Sequence, residues 1–222
     1  MRMRRKKHLE ERLDHVAAQI IPLRVDTIRF DADETPKYLD FQTLFGNDHP
    51  VEMEIGCGKG GFICELAARH PDVNFLAVEL YANVLVSACE AAQKRGLTNI
   101  RFLSGNAEYL ARFIPPHSVR RLYLNFSTPF PKKRQATHRL THPHFLEMYK
   151  ELLVPGAAVI QKTDGRVFFQ YSLEQFSKCG YTLENISLDL HTDGIEDNIL
   201  TEYESRFVAQ GLPIYRVEAK VN

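Results

Sequence analysis

Residues 51–61 read VEMEIGCGKGG, an apolar run that includes acidic positions and passes into a glycine-rich turn. The residues after the turn have helical spacing, so the stretch predicts a strand, a turn and a helix in that order. Glycines let a nucleoside cofactor approach bare backbone beside the first N–H groups of a helix. The segment therefore predicts a binding site for such a cofactor.

Two kinds of cofactor fit this turn. Gly56, Gly58 and Gly61 match the dinucleotide pattern G-x-G-x-x-G, and acidic Glu79 follows about 20 residues further on, as that pattern requires. Glu54 favours the second kind, because a carboxylate against the turn repels a pyrophosphate and attracts the sulfonium and ammonium groups of S-adenosylmethionine. A turn without any ligand is the third interpretation. We expect the methyl donor, with a dinucleotide as the alternative.

Composition limits the class of protein. The chain has 222 residues, 44% of them hydrophobic, and a formal net charge of zero, so a nucleic-acid partner would have to bind a local patch. Its four cysteines show no C-x-x-C pair, which argues against a disulfide framework or a metal site. Acidic residues interrupt the basic N-terminus, and no apolar run is long enough to span a bilayer. We expect a cytoplasmic protein, monomeric or homodimeric, without metal.

Apolar runs alternate with helical patterns along the chain. Strands are predicted at 51–55, 73–78, 100–103, 122–126 and 157–160, and later at 183–190 and 214–219. Helices are predicted at 60–69, 81–95, 143–153 and 167–178. The alternation predicts an α/β, Rossmann-like fold with a mostly parallel seven-stranded sheet and helices on both faces. The last two strands lack a clear crossover helix, so they predict an antiparallel edge strand.

The first forty residues have a different character. They carry a cluster of cations at 2–7 and a helical pattern at 9–21. We therefore expect residues 1–40 to form a basic arm and helix, followed by a single domain at 41–222. A basic terminus is commonly solvated, and an arm that holds phosphate is the alternative.

Polar residues also follow the second and third predicted strands. Glu79 ends the second predicted strand. In such folds a carboxylate at this position accepts hydrogen bonds from both ribose hydroxyls. The alternative is an acid that stabilises the start of the following helix. Asn106 can meet adenine through its carboxamide, or it can cap a helix. The residues alone leave both pairs of alternatives open.

Residues 124–134 read LNFSTPFPKKR, a strand end that runs into a proline-stiffened loop with three cations. Prolines fix the shape of the loop and leave little entropy to lose. The loop and the residues after it supply an aromatic ring for stacking and a patch fit for a phosphate backbone, formed by Phe130, Lys132, Lys133, Arg134, His138 and Arg139. A solvated charged face is the alternative.

From about Phe45 to the C-terminus, the chain resembles the bacterial tRNA (guanine-N7)-methyltransferase family. The resemblance lies in EIGCGKG at 54–60, the loop at 125–134, KTD at 162–164, and TEYE at 201–204 with Phe207. It implies a class I methyltransferase fold, S-adenosylmethionine as cofactor and tRNA as partner. It also implies direct methyl transfer to N7 of a guanine in the variable loop, guanine-46.

The resemblance, together with the glycine turn, assigns roles to individual residues. Those expected to hold the cofactor are Glu54, Gly56, Gly58, Glu79, Asn106 and Thr128. Those expected to bind the substrate are Lys132, Asp164, Thr201, Glu202, Tyr203 and Glu204. Those expected on the tRNA backbone are Lys133, Arg134 and Arg139. The pair Thr201 and Glu204 also has the spacing of a helix capping box.

Three positions depart from the family pattern, and one of them is Phe130, which stands where the family's loop has tryptophan. Asn106 replaces the usual aspartate and keeps an oxygen acceptor. Thr128 replaces the aspartate of the family's Asp-Pro-Trp-Pro loop, which serves both cofactor and target base, and so occupies the expected catalytic position. Guanine N7 carries an in-plane lone pair and needs no base to remove a proton. The substitution therefore predicts a weakened enzyme, with a catalytically silent tRNA-binding member and an NAD-dependent oxidoreductase as the other hypotheses.

Overall fold

The glycine-rich stretch begins in a strand, β1 at Val51–Ile55, in which all five residues are buried. A strand buried on both faces is typical of a parallel sheet covered by helices. The structure is a computed structural model that describes residues 6–23, 37–195 and 198–222. The chain divides into two compact units, with the boundary between Phe113 and Ile114.

The first unit contains the glycine turn. Its other elements are α1 at Leu9–His15, α2 at Phe41–Phe45, α3 at Gly61–Arg69, β2 at Asn74–Glu79, α4 at Ala82–Lys94 and β3 at Ile100–Ser104. Strand β2 pairs in parallel with both β1 and β3. A 3-10 segment at Ala107–Arg112 follows β3. In this parallel arrangement the carboxyl ends of the three strands lie at one edge.

The second unit contains the proline-rich loop. Its elements are β4 at Val119–Asn125, α5 at Pro143–Leu152, β5 at Leu153–Thr163, α6 at Arg166–Lys178, β6 at Thr182–Ser187, α7 at Glu202–Val208 and β7 at Tyr215–Lys220. Strand β4 pairs in parallel with β5, whereas β7 is antiparallel to both β5 and β6. A 3-10 segment at Lys133–His138 follows the loop.

The strand order of the seven-stranded sheet is β3-β2-β1-β4-β5-β7-β6. The predicted α/β fold, with a mostly parallel sheet and an antiparallel edge, is therefore confirmed. Several predicted bounds differ from the structure. Strand β4 begins at Val119 and ends at Asn125 instead of spanning 122–126. Strand β5 is longer than 157–160 because it pairs with β7 as far as Thr163. Strand β6 ends at Ser187 instead of 190, and its register against β7 shifts between Glu184 and Ser187, around Asn185 with φ of 49°. The helix predicted at 9–21 ends at His15, and a 3-10 segment follows.

Residues 6–23 pack against α4 and β3. Arg12 donates both Nε and Nη2 to the carboxylate of Glu90 in α4, at 2.7 and 2.6 Å. The N–H of Ile21 donates to the carbonyl of Phe102 in β3 at 2.8 Å. This part of the predicted arm is thus docked in the first unit, while its positions 1–5 and 24–36 lie outside the described residues. The predicted boundary near residue 40 stays a prediction.

The cysteines are free thiols, and three of them lie in the core of the first unit. Burial raises the pKa of Cys64 to about 11 and that of Cys89 to about 12. Such thiols are protonated and inert at neutral pH. Within the described ranges, no helix is long and apolar enough to cross a membrane.

A substitution at Gly60 tests the packing of α3 against α4. Gly60 has φ of 81°, and a Cβ there would lie 2.8 Å from the Cβ of Ala88. We expect Gly60→Ala to lower the free energy of unfolding in urea by about 2–4 kcal/mol, because it adds a clash to a left-handed backbone. Gly61→Ala is the matched control, since a Cβ there meets nothing within 4 Å. Equal losses in the two variants would contradict the described packing.

Candidate functional site

Hydrogen bonds to the neighbouring strand fix the turn after β1. Gly56 and Cys57 both donate their N–H to the carbonyl of Val78 in β2, at 2.8 and 3.0 Å. Gly56 and Gly58 have φ of 83° and 58°, a conformation that glycine adopts without steric cost. A Cβ at either position would meet no atom within 4 Å. Open space therefore lies above the first two glycines, and the turn presents bare backbone to it.

Two buried carboxylates flank this turn. Glu54 in β1 is 2% exposed and Glu79, which ends β2, is 9% exposed. The pKa of the Cys57 thiol is well above its usual value, chiefly because of burial and then because of the negative charges of Glu54 and Glu79. Both carboxylates therefore act on the turn electrostatically. Their field favours a cationic ligand over a pyrophosphate.

Glu79 also holds the turn in place. Its Oε2 accepts the N–H of Gly58 at 3.0 Å, and its Oε1 accepts the N–H of Tyr81 at 3.1 Å. A carboxylate oxygen has two lone pairs, so each oxygen keeps acceptor capacity for a further donor such as a ribose hydroxyl. The position of Glu79 is compatible with the predicted cofactor role. Its hydrogen bonds also give it a structural role in holding the turn, which the sequence did not reveal.

Asn106 lies at the same edge, after β3. The N–H of the preceding Gly105 donates to the carbonyl of Glu79 at 3.0 Å. Asn106 Oδ1 accepts the N–H of Glu108 at 3.1 Å, and its Nδ2 donates to the Glu108 carboxylate at 2.9 Å. Asn106 thus caps the 3-10 segment that follows, which was one of its two predicted roles. Contact with adenine stays a prediction.

In the second unit, an arginine holds the proline-rich loop. Arg139 donates Nε to the carbonyl of Pro129 and Nη2 to that of Phe130, each at 3.0 Å. Its guanidinium also lies 4.2 Å from the ring centre of Tyr171. These contacts support Phe130 in a backbone conformation with φ of 41°. Arg139 was expected on the tRNA backbone, and the structure shows it bracing the loop.

The other cations of the loop are exposed. Lys132, Lys133 and Arg134 all face solvent at the start of the 3-10 segment, and Thr128 is exposed as well. The Phe130 ring, predicted to stack on a base, contacts the His138 ring at 5.6 Å between centroids. The loop therefore presents a cationic surface, and its binding role stays a prediction.

A buried ion pair anchors the TEYE segment. Lys162 Nζ donates to Glu204 Oε2 at 2.9 Å, and Glu204 is fully buried. Asn198 Nδ2 donates to Glu204 Oε1 at 2.6 Å, and His191 Nε2 lies 3.2 Å from that same oxygen. The N–H of Glu204 donates to the hydroxyl of Thr201, completing a capping box at the start of α7. Glu204 and Thr201 thus fix the segment, and their predicted contact with substrate stays a prediction.

The exposed part of this segment is Tyr203, which is 47% exposed. Its ring lies 5.0 Å from that of Phe126 and 5.1 Å from that of Phe207, measured between centroids. Burial, followed by the negative charge of Asp164, raises the pKa of the Tyr203 hydroxyl. The second unit therefore brings together the rings of Tyr203 and Phe126, and the charge of Asp164 acts on the Tyr203 hydroxyl. The side chain of Glu202 lies outside the described residues.

Sequence reasoning missed Phe126. It follows the last residue of β4, has φ of 51° and donates its N–H to the carbonyl of Lys162 at 2.8 Å. A positive φ at a phenylalanine is a sterically unfavourable conformation that surrounding contacts must maintain. The one sequence signal that could have pointed to Phe126 is its position directly after an apolar strand. In the described part of the chain, no cluster of three or more histidine, cysteine or acidic side chains is placed to hold a metal.

Comparison with known proteins agrees with this geometry. A family model described as "Putative methyltransferase" matches residues 48–217. The tRNA (guanine-N(7)-)-methyltransferase of Geobacillus kaustophilus (strain HTA426) is 43% identical over 219 residues, which cover 99% of this chain and 96% of that protein. The protein of the same name from Bacillus subtilis (strain 168) is 44% identical over 180 residues, which cover 81% and 84% of the two chains.

Solved structures show the same fold at low identity. The 16S rRNA methyltransferase KamB has a TM-score of 0.62 at 17% identity, covering 90% of this chain and 99% of its own. A SAM-dependent methyltransferase from Aquifex aeolicus has a TM-score of 0.57 at 13% identity, covering 82% and 88%. These likenesses show the fold, and the family model shows that the chain is a methyltransferase.

The chain belongs to the tRNA (guanine-N(7)-)-methyltransferase family. This membership confirms the resemblance predicted from the sequence motifs. It also confirms the methyltransferase class. The dinucleotide alternative finds no support in these comparisons.

The buried pair of Lys162 and Glu204 can be tested by stability. We expect Glu204→Gln to lower the free energy of unfolding in urea by about 3–5 kcal/mol, because it leaves a buried ammonium group without its counter-charge. Glu174→Gln is the control, since Glu174 and Lys178 form an exposed pair at 3.9 Å and should contribute at most about 1 kcal/mol. A loss in Glu204→Gln as small as that in the control would contradict the anchoring role.

Proposed function

We propose that this protein transfers a methyl group from S-adenosylmethionine to N7 of a guanine in tRNA. The observation that carries the proposal is the half-exposed ring of Tyr203 against the ring of Phe126 in the second unit, because such aromatic faces suit a purine base. The names of the relatives, with 43% identity over 99% of the chain for one of them, support it. The proposal includes guanine-46 of the variable loop as the target and the cytoplasm as the compartment.

The first unit holds the donor. The carboxylates of Glu54 and Glu79 attract its cationic groups, and Glu79 offers further acceptor capacity to the ribose hydroxyls. The open backbone at Gly56 and Gly58 leaves space for the ligand. When bound, S-adenosylmethionine supplies an electrophilic methyl carbon on a sulfonium.

The second unit holds the base. Tyr203 and Phe126 offer aromatic faces on which a splayed-out purine can stack, a common mode of RNA recognition. The Asp164 carboxylate can accept hydrogen bonds from the N1–H and the amino group on one edge of guanine. Guanine N7 lies on the opposite edge and stays accessible. Adenine presents no N1–H, so this arrangement favours guanine.

The methyl transfer itself requires no proton transfer by a protein side chain. The N7 lone pair attacks without a general base, so the rate depends on positioning nucleophile, carbon and leaving sulfur in line. Thr128 is exposed on the loop after β4 and offers a neutral hydroxyl to the base or the donor. Lys132, Lys133 and Arg134 would neutralise phosphates of the tRNA backbone.

The test is to incubate unmodified tRNA transcripts with methyl-tritiated donor and then identify the labelled nucleoside. We expect label only in N7-methylguanosine, at the variable-loop position. Label in another nucleoside would contradict the proposal. Stoichiometric binding of donor and tRNA without label would instead establish the catalytically silent alternative.

Thr128→Asp tests how the loop contributes in the same assay. A hydrogen bond to a charged group contributes about 1.5–3 kcal/mol, so we expect turnover to rise roughly ten- to a hundredfold. Thr137→Asp, at an exposed position of the following 3-10 segment, is the matched control and should produce no gain. If Thr128→Asp lowers turnover, threonine itself is the residue that fits the site.

A further inference from the structure

One arginine fixes the orientation of two consecutive peptide groups in the proline-rich loop. Arg139 Nε donates to the carbonyl of Pro129 at 3.0 Å and reaches that of Phe130 at 3.3 Å, and its Nη2 donates to the same Phe130 carbonyl at 3.0 Å. The guanidinium is a rigid planar fork, so it holds both carbonyls in one defined geometry. The two peptide groups flank the Cα of Phe130, whose φ of 41° is unfavourable for a residue with a side chain. The loop therefore depends on Arg139 for its shape.

Helix α6 in turn holds Arg139. The Arg139 guanidinium lies 4.2 Å from the ring centre of Tyr171, a cation–π contact. Partial burial raises the pKa of the Tyr171 hydroxyl, and the positive charge of Arg139 and a hydrogen bond from it oppose this rise. Thr141, two residues after Arg139, has its hydroxyl 2.9 Å from that of the buried Ser172, the residue after Tyr171. Two adjacent residues of α6 thus dock the chain segment 139–141.

Two residues with predicted roles at the reactants are tied to this helix. Helix α6 begins at Arg166, two residues after Asp164, and Thr128 directly precedes Pro129 in the braced loop. Asp164 is connected to α6 through the chain, and Thr128 is connected to it through Arg139.

Arg139 differs from the other cations of this region in what surrounds it. Lys132, Lys133 and Arg134 are exposed, whereas Arg139 is half-buried. One face of its guanidinium lies against the Tyr171 ring, and its Nε and Nη2 donate to main-chain carbonyls. The removal of such an arginine should disturb the loop more than the charge that the protein presents to RNA. A contact between Arg139 and a phosphate is the alternative role, and the experiment separates the two.

We propose that Arg139 and Tyr171 are positioning residues for methyl transfer. Tyr171 orients the Arg139 guanidinium, and Arg139 holds the loop so that Thr128 takes its productive position. The inference rests on the proposed function, because it concerns the rate of that reaction. The rate of a displacement depends on alignment, and a misplacement of about 1 Å can lower it about a hundredfold. Arg139 and Tyr171 should thus act on turnover, whereas the exposed cations act on affinity.

The experiment measures kcat and KM for unmodified tRNA, and the salt slope of tRNA binding between about 50 and 200 mM. The variants are Arg139→Gln, Arg139→Lys, Tyr171→Leu, Tyr171→Phe and the double variant of Arg139→Gln with Tyr171→Leu. Gln170→Leu, at the exposed neighbouring position of α6, is the matched control for Tyr171→Leu. Arg134→Gln is the reference for the loss of one phosphate contact, which reduces the slope by about 0.7–0.9.

We expect kcat and kcat/KM to fall together by roughly ten- to a hundredfold in Arg139→Gln and in Tyr171→Leu, the pattern of an interaction made in the transition state. Arg139→Lys should lose about as much as Arg139→Gln, because an ammonium group lacks the planar fork. Tyr171→Phe keeps the aromatic face and should retain most of the turnover. The double variant should lose no more than Arg139→Gln alone, because Tyr171 acts through Arg139. The salt slope should stay unchanged in all five variants.

Thermal midpoints identify a variant that fails to fold. If Arg139→Gln does so, Tyr171→Leu and Tyr171→Phe test the same chain of contacts, because they leave the arginine in place.

Three results would overturn the inference. Turnover in Tyr171→Leu equal to that in Gln170→Leu would remove Tyr171 from the chain of contacts. Full turnover in Arg139→Lys would show that the positive charge is needed and the fork is not. A slope loss in Arg139→Gln equal to that in Arg134→Gln, and absent from Arg139→Lys, would assign Arg139 to a phosphate. These failures concern variants of an active protein, whereas a parent protein that forms no N7-methylguanosine would reject the proposed function itself.

Discussion

The carboxylate and carbonyl of Glu79 tie together the parts of the first unit on which the donor site depends. The carboxylate accepts the N–H groups of Gly58 and Tyr81, and the carbonyl accepts that of Gly105. One residue thereby fixes the turn after β1, the start of α4 and the turn after β3. The second carboxylate, Glu54, is buried in β1 itself, so the strands of the first unit hold both carboxylates in place beside the turn.

The second unit achieves the same rigidity by a different route. The Lys162 and Glu204 pair is buried, and a buried pair stabilises a fold only when the remaining hydrogen-bonding capacity is also met. Asn198 donates a hydrogen bond to the Glu204 carboxylate, and the carbonyl of Ile199 accepts one from the Lys162 ammonium group. This network holds α7 so that Tyr203 lies against Phe126 while part of its ring stays exposed. Preorganised groups of this kind suit a reaction whose rate depends on alignment.

Local patterns predicted most of the fold and the acidic part of the site. Alternating strand and helix signals, and an acid at the end of each of two strands, are properties of short segments. Long-range contacts were not predictable in this way. The ion pair of Lys162 with Glu204, which stands 42 positions later in the chain, depends on tertiary packing. The same holds for the bracing of the loop by Arg139 and for the docking of Lys6 on α4. The left-handed backbone at Phe126 has no signature in its residue type, since phenylalanine rarely adopts it.

The central claim is that the acidic glycine turn holds the sulfonium donor through charge. Calorimetric titration of the protein and of Glu54→Gln with S-adenosylmethionine, and separately with NAD, tests it most directly. The account predicts one donor per chain, no heat from NAD, and donor binding about tenfold weaker in Glu54→Gln, because about 1.4 kcal/mol of charge attraction is removed. Equal donor affinity in the two proteins, or binding of NAD in place of the donor, would contradict it.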